Sequence, residues 1–253
     1  MVYAFAISDI LKNSRILPPR METRNPKSIA IILDGNRRYA KKIGMRPWQG
    51  HSFGAEKVEK LLEWCRDLGI KELTLYSFSA DNFKRPENEK SAIFELFRKN
   101  FESLEKDERL MKDQIKVMFI GRIYMFPKDI QEKMRVLMEK TKHNGSFKVN
   151  FAMAYSSKAE ITDSIKSILS KIKDKKLEIE EIEESTVNEN LYLSSSPDIL
   201  IRPGGEKRLS DFLLWQSAYS ELIFLDTLWP EFTKEDLIWC IEEYKKRERR
   251  FGE

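Results

Sequence analysis

Six short segments of the chain are rich in β-branched and aromatic residues and are bounded by turn residues, which is the pattern of buried strands. They cover residues 28–33, 73–78, 115–120, 147–153, 198–202 and 221–225. Between most of them, apolar residues recur at helical spacing, as at 52–68, 88–111 and 128–142. Alternating strands and helices predict a single-domain α/β fold, in which helices flank a central, mostly parallel sheet of six strands.

The predicted domain runs from residue 28 to residue 253, and residues 1–27 form an N-terminal extension ahead of the first strand. In a parallel sheet of this kind, ligands bind beyond the carboxyl ends of the strands. The residues that follow each strand are therefore the first candidates for a functional site.

Composition narrows the class of protein. The chain has 253 residues, of which 41% are hydrophobic, enough for one sizeable core. Its 45 Lys and Arg against 41 Asp and Glu leave a net charge of only +4, so we expect no nucleic-acid partner. No apolar run is long enough to cross a bilayer, and Asp9 interrupts the apolar N-terminal stretch, unlike a secretory signal. Cys65 and Cys240 lie far apart without a C-x-x-C motif, which favours reduced thiols in a cytoplasmic protein.

The first strand stops at Asp34, and Gly35, Asn36, Arg37 and Arg38 follow at once. Backbone N–H groups at a helix start, together with basic side chains, form an anion site suited to phosphate. A carboxylate beside a phosphate requires a hard cation between them, and Mg²⁺ takes one or two carboxylates plus phosphate oxygens. The stretch therefore predicts a magnesium diphosphate site. The alternative is that Asp34 only caps the helix and that the basic residues are solvated.

Two further strand ends carry polar clusters. After the second strand come Ser79, Asn82 and Arg85, of which turn chemistry explains Asn82 but not Arg85.

After the fifth strand, Arg202, Arg208 and Ser210 flank the pair Gly204 and Gly205. Guanidinium forks and a hydroxyl can converge there on one anion, although a plain turn before a helix would give the same glycines. Separate anion sites and one carboxylate predict two phosphorylated substrates in one cleft. Spacing alone does not distinguish a prenyl chain from a nucleotide.

Several motifs occur in a fixed order between residues 29 and 252: LDGNRRYA, QGH, LTLYSFSADNFKRP, DILIRPGGEKRLSDFLLWQSAYSELIF, LWPEF and RERRFG. In these motifs the chain resembles the cis-prenyltransferases, the family of undecaprenyl and dehydrodolichyl diphosphate synthases. The resemblance implies repeated condensation of isopentenyl diphosphate onto an allylic diphosphate primer, either farnesyl or geranylgeranyl diphosphate. The implied product is a long-chain cis-polyprenyl diphosphate, the precursor of a glycosyl carrier lipid.

The resemblance also implies residue roles. Asp34 would engage Mg²⁺ and the diphosphates, and Glu221 matches a second metal-associated carboxylate. His51, Ser79 and Asn82 match positions of proton removal and relay, although the diphosphate itself could be the base. The implied substrate-binding residues are Gly35, Asn36, Arg37, Arg38, Arg46, Phe83, Arg85, Arg202, Arg208, Ser210 and Arg250.

The C-terminal Arg250 and Gly252 match a family tail that reaches the diphosphate site of a second subunit, which implies a homodimer. Without a partner, the same residues would be a frayed basic helix end. A long isoprenoid product further implies peripheral membrane contact for its release.

The sequence departs from the family pattern at a few positions. Asp81 stands where Glu is usual, Pro47 replaces a basic residue with Arg46 one step earlier, and residues 154–158 differ from a common N-Y-G-G-R loop. None of these changes removes a residue on which the implied activity depends. A non-catalytic scaffold relative is the alternative, and it should lack Asp34 and the Arg202 set.

The implied hydrophobic tunnel lies along the second strand and the helix at 91–104. Phe94, Phe97 and Phe101 recur at helical spacing, so they either stop the growing chain or pack in the core. Small Ser77 and Ala92 favour a long product.

Overall fold

The computed structural model of the chain describes residues 25–246. The strands in this range are β1 (Ser28–Ile32), β2 (Glu72–Ser79), β3 (Ile115–Ile120), β4 (Phe147–Tyr155), β5 (Ile199–Arg202) and β6 (Glu221–Phe224). The α-helices in this range are α1 (Asn36–Lys42), α2 (Gly50–Asp67), α3 (Glu87–Lys106), α4 (Arg109–Lys112), α5 (Lys128–Thr141), α6 (Ser157–Lys173), α7 (Glu184–Glu189) and α8 (Lys234–Lys246).

The strands form one sheet in the order β3-β4-β2-β1-β5-β6, and every pair of neighbours is parallel. The predicted α/β fold with a six-stranded sheet is therefore confirmed, and its carboxyl ends share one edge. β4 runs on to Tyr155 because this residue still pairs with Ser79, across a register shift on either side of Phe78. The strand therefore extends two residues beyond its predicted end at Met153.

Both faces of the sheet are covered by apolar residues. On one face, Leu75 and Val149 belong to a large core cluster with Leu61 of α2, Phe101 of α3 and Leu137 of α5. The cluster on the other face is smaller and contains Ala30, Ile32, Ile120, Ala152, Tyr155, Leu193, Leu200, Phe212 and Leu213. Burial on both faces explains why the strands are continuous apolar runs rather than alternating ones.

Neither cysteine is available for surface chemistry. Cys65 and Cys240 are buried and form no disulfide within the described chain. Burial raises the pKa of each thiol to about 12, so both remain protonated packing groups.

No helix in residues 25–246 is both long and apolar enough to cross a membrane. Most of the predicted N-terminal extension lies outside the described residues, as does the C-terminal tail.

The start of α2 lies close against α1 at Gly50. A Cβ atom at this position would lie 1.9 Å from the carbonyl oxygen of Asn36 and 3.2 Å from the Ala40 Cβ. Only a residue without a side chain fits this contact. Because α1 carries Asn36 and α2 carries His51, the contact also fixes the relative position of two predicted site residues.

We expect Gly50→Ala to destabilise the fold, although alanine normally favours a helix. The new methyl group meets backbone atoms, so the two helices must move apart, at a cost of about 1–3 kcal/mol in the free energy of unfolding. For a chain of this size, each kcal/mol lowers the melting temperature by about 2–4 °C. Thermal unfolding followed by circular dichroism measures the change.

Gly145→Ala is the matched control, because a Cβ there would have no heavy atom within 4 Å. Equal melting temperatures for the two variants would contradict the packing argument.

Candidate active site

A buried guanidinium joins the carboxyl ends of β1 and β5. Arg202, the last residue of β5, is only 4% exposed. Its Nη2 donates to Asp34 Oδ2 at 2.8 Å, while its Nη1 donates to Ser210 Oγ at 2.7 Å and to the carbonyl oxygen of Arg208. Arg38 Nη2 donates to the other Asp34 oxygen at 3.1 Å. Since a buried charge is stable only when it is paired, these bonds fix the Arg202 side chain in one position.

One donor in this cluster lacks an acceptor. The Arg202 Nε is buried and has no hydrogen-bond partner in the described part of the chain, although buried N–H groups are nearly always paired. Arg202 also lines a cavity. An unpaired guanidinium N–H beside a cavity is suited to an anionic oxygen.

Asp34 does not cap the helix that follows it. Gly35 is the N-cap of α1 and the helix has no side-chain cap, so the capping interpretation is wrong. The carboxylate faces the guanidinium groups instead, and the first turn of α1 stays open to a ligand. Gly204 lies close by with a φ of +102°, and a Cβ there would lie 2.7 Å from the Arg38 Nη2 and 3.2 Å from the Asp34 Cγ. Glycine is therefore required at this position.

A second charged cluster surrounds Glu89, a carboxylate on α3 that is only 3% exposed. Arg85 Nη1 donates to Glu89 Oε1 at 2.6 Å and contacts the His51 Nε2 at 3.2 Å. Arg37 Nε lies 3.6 Å from the same carboxylate oxygen. Glu89 therefore brings together three elements of the fold: α1, α2 and the turn after β2. The structure brings the predicted residues Arg37, His51 and Arg85 together.

The protonation state of His51 follows from this cluster. Burial lowers its pKa from 6.5 to about 4, and the neighbouring positive charge of Arg85 adds to the effect. The imidazole is therefore neutral near neutral pH, with its Nε2 positioned to accept from Arg85. Because the unfolded chain binds the extra proton between these two pKa values, His51 makes the fold less stable as pH falls from 6.5 towards 4.

Ser79 is the last residue of β2, and Asn82 lies in the tight turn that follows it. The Ser79 N–H donates to Asn82 Oδ1 at 3.1 Å, which fixes the turn. Both residues line the same cavity as Asp34. Asp81 lies at the rim, where its carboxylate is 82% exposed and pairs with Lys84 at 2.7 Å.

These groups surround one cavity of about 870 Å³ that runs between the sheet and helices α2 and α3. In its polar part around Asp34, basic lining residues outnumber acidic ones: Arg37, Arg38, Lys41, Arg85, Arg202 and Arg208 against Asp34, Asp81 and Asp211. The other charged lining residues, Glu59, Glu63, Arg66, Asp107 and Arg109, lie on α2 and around the end of α3. The apolar part is lined by Val58, Leu62, Ile93, Leu96, Phe97, Phe101, Leu104, Val117, Val149, Phe151 and Met153. One cavity therefore offers an anion site continuous with an apolar channel. Ser77 lines this cavity too.

Three predicted residues in the described part of the chain lie away from the cavity. Arg46 is exposed over the Trp48 ring, and Phe83 packs among core rings rather than on the cavity wall. Glu221 begins β6, level with the amino end of β1, whereas Asp34 follows the carboxyl end of that strand. The Asp34 and Glu221 of one chain therefore do not share one ion. Arg250 lies outside the described residues.

Two residues of the site were missed by sequence reasoning. The signal for Glu89 is its spacing of four from Arg85, which puts both at one helix start. Asp211 follows Ser210 directly and also lines the cavity. Nothing in the local sequence distinguishes it from an ordinary turn aspartate.

A parallel sheet whose strand-end anion site opens into an apolar channel is the architecture of a cis-prenyltransferase, the class that the sequence motifs resemble. Comparison with known proteins gives the same class. The model of the prenyltransferase family described as undecaprenyl diphosphate synthase matches residues 32–252, and the chain belongs to this family.

Similar proteins include two archaeal enzymes named tritrans,polycis-undecaprenyl-diphosphate synthase (geranylgeranyl-diphosphate specific). The one from Methanopyrus kandleri is 42% identical over 94% of this chain and 89% of its own length. The one from Methanocaldococcus jannaschii is 43% identical over 97% of this chain and 90% of its own length. A crystal structure of lavandulyl diphosphate synthase from Lavandula x intermedia in complex with dimethylallyl diphosphate has a TM-score of 0.86 at 31% identity, and covers 90% of this chain and 99% of that chain.

We expect the His51 imidazole to titrate with a midpoint near pH 4. Arg85→Gln should raise this midpoint, because it removes a positive neighbour and leaves the Glu89 carboxylate facing the ring. NMR chemical shifts of the imidazole measured against pH report both values, and a His51→Gln spectrum assigns the signal.

Arg135→Gln serves as the control, since this exposed arginine pairs with Glu132 and not with the His51 cluster. An unchanged midpoint in Arg85→Gln would contradict the assigned contact.

Proposed function

We propose that this chain condenses isopentenyl diphosphate repeatedly onto an allylic diphosphate primer and forms a long cis-polyprenyl diphosphate, the precursor of a glycosyl carrier lipid. The observation that carries the proposal is the continuity of the cationic site at Asp34 and Arg202 with an apolar channel. A diphosphate at one end and an isoprenoid chain at the other match these two parts of the cavity. Geranylgeranyl diphosphate is the proposed primer, because the archaeal relatives are named as specific for it.

Each of the two proposed substrates has its own anion site. Gly35, Asn36, Arg37 and Arg38, at the open first turn of α1, bind the diphosphate of the allylic primer. Arg202, Arg208 and Ser210 bind that of isopentenyl diphosphate. The unpaired Arg202 Nε and the 2.7 Å bond between Arg202 and Ser210 support this second assignment.

Asp34 is the residue suited to hold Mg²⁺. A carboxylate has about four lone-pair sites, and Arg202 and Arg38 each occupy one. Residues 25–246 contain no group of three His, Cys, Asp or Glu that could hold a metal ion, which fits an ion bound by one carboxylate together with substrate phosphates. Bound there, Mg²⁺ would neutralise charge that develops on the departing diphosphate. Glu221 is too far along the sheet to share that ion within one chain.

The reaction begins with ionisation of the allylic C–O bond, which builds negative charge on the leaving diphosphate. Arginine donors fixed in advance stabilise that charge more in the transition state than in the ground state. The double bond of isopentenyl diphosphate must lie at the nascent carbocation, so the rigid placement of Arg202 and Ser210 contributes by positioning. Condensation ends with loss of a proton from the new chain.

We assign the removal and relay of this proton to His51, Ser79 and Asn82. A neutral imidazole accepts a proton, whereas an imidazolium does not. The low pKa of His51, about 4, makes it a weak base. It therefore suits a transient relay towards a diphosphate oxygen better than the role of final proton acceptor.

The proposal extends to the oligomeric state of the protein and to its location in the cell. We propose a homodimer in which the tail with Arg250 reaches the partner's diphosphate site. The enzyme is proposed to be cytoplasmic, with peripheral membrane contact when the apolar product leaves.

The first test is an assay of chain elongation. Purified protein is incubated with radiolabelled isopentenyl diphosphate, geranylgeranyl or farnesyl diphosphate, and Mg²⁺, and the extracted products are resolved by length. We expect a ladder of polyprenyl products that EDTA abolishes. Asp34→Asn, which keeps the size of the side chain and one acceptor for Arg202, should lower the rate at least about 100-fold.

Asp174→Asn is the control, because this exposed carboxylate lies at the far end of α6. Circular dichroism confirms that each variant is folded. Absence of product from the wild-type protein with every primer would reject the proposed function and favour the scaffold alternative.

The same assay tests the choice of primer. Geranylgeranyl diphosphate should give a kcat/KM about tenfold or more above that of farnesyl diphosphate, as its longer chain covers more of the apolar channel wall. Steady-state rates with each primer give the two constants. A preference for farnesyl diphosphate would contradict the primer assignment and leave the reaction class intact.

A further inference from the structure

The backbone is strained next to the Arg202 cluster. Ser210, Asp211 and Leu213 have φ angles of +51°, +63° and +46°. Residues other than glycine rarely adopt this left-handed conformation, and they keep it only when the surrounding contacts enforce it. Contacts with other parts of the chain must therefore hold the loop that places Ser210 Oγ against Arg202.

The Asp211 side chain supplies that restraint. Its Oδ2 accepts from Ser156 Oγ at 2.5 Å, and its Oδ1 accepts from the Lys158 N–H at 3.1 Å. Ser156 is the N-cap of α6, where its Oγ also accepts from the Ala159 N–H at 3.2 Å. The carboxylate thus ties the loop to the start of a helix, where the positive end of the helix dipole favours it.

Backbone bonds reinforce the same junction in both directions. The Ser157 N–H donates to the Asp211 carbonyl oxygen at 2.9 Å, and the Leu214 N–H donates to Ser157 Oγ at 2.8 Å. On the other side, the Tyr76 hydroxyl donates to the Ser210 carbonyl oxygen at 3.3 Å. Every one of these contacts holds the loop, and none of them uses the side chain of Ser210.

This arrangement also explains a carboxylate beside an anion site. Asp211 lines the cavity that contains Arg202 and Ser210, where a free negative charge would repel a diphosphate. Its oxygens are instead engaged by Ser156 and by the backbone of α6, so its charge is partly neutralised there.

We propose that Asp211 is a positioning residue for the isopentenyl diphosphate site: its bonds to α6 hold Ser210 Oγ and Arg202 in their anion-binding geometry. The inference rests on the proposed function, because that function assigns Arg202 and Ser210 to this substrate. It predicts an effect on one substrate only, since the residues assigned to the primer lie at the start of α1.

The test compares Asp211→Ala with Asp211→Asn. The alanine variant loses both bonds to α6 and should raise the KM for isopentenyl diphosphate about 10- to 100-fold, with the KM for the allylic primer within about twofold of the wild type. Asparagine tolerates a positive φ, keeps an acceptor for the Lys158 N–H and can donate to Ser156 Oγ. It should therefore restore most of the wild-type KM.

A double-mutant cycle with Ser156→Ala tests whether Asp211 acts through its bond to Ser156. If both residues act through one contact, the double variant should raise the KM no more than Asp211→Ala alone. Asp174→Ala, at the opposite end of α6, is the control and should leave both KM values unchanged. Calorimetric titration of isopentenyl diphosphate into each protein measures binding without turnover and should give the same order.

The outcomes separate the two proposals. An active wild-type enzyme whose Asp211→Ala variant keeps its KM would overturn the positioning role alone. Equal rises in KM for both substrates, without rescue by asparagine, would show a general structural role and overturn it too. A wild-type protein that neither binds isopentenyl diphosphate nor makes product would overturn the proposed function and this inference with it.

Discussion

The site is organised around one buried charge, the guanidinium of Arg202. At 4% exposure it has left water almost completely, and an unpaired charge in that position would cost several kcal/mol. Its bonds to Asp34 and Ser210 satisfy most of that requirement, and the adjacency of β5 to β1 makes them possible. The sheet order therefore determines the chemistry, because any other neighbour for β5 would leave Arg202 without Asp34.

The loops around this charge have conformations that the chain would not adopt alone. Gly35 and Gly204 have positive φ angles that glycine accepts without strain, whereas Ser210 and Asp211 have positive φ angles that cost free energy for residues with a side chain. That cost is offset by contacts with α6 and with Tyr76. Strain at the site is thus balanced by secondary structure that surrounds it, which keeps the donors fixed before any ligand arrives.

Much of the fold could be predicted from the sequence, because buried parallel strands are unbroken apolar runs and their helices have a clear periodicity. The end of β4 was missed because the pairing of Tyr155, across the register shifts around Phe78, depends on a strand far away in sequence. In the site, Asp34 and Arg202 could be found since they follow strands directly. The positions of Phe83 and Glu221 could not, because they depend on core packing and on strand register, respectively. Asp211 has a role that depends on α6, which local sequence does not reveal.

Division of the cavity into a charged part and an apolar part imposes a direction on the proposed reaction. In each cycle the primer's diphosphate departs as pyrophosphate, and the elongated chain carries the diphosphate that came with isopentenyl diphosphate. That group cannot enter the apolar part without losing its counter-charges, so the diphosphate end of the chain remains at the strand ends. Each added isoprene unit must then extend the chain along the channel between α2 and α3. Substitutions near Arg202 should therefore act on substrate binding and rate, whereas substitutions at Phe97 or Phe101 should act on product length. The two properties depend on different elements of the fold and can change independently.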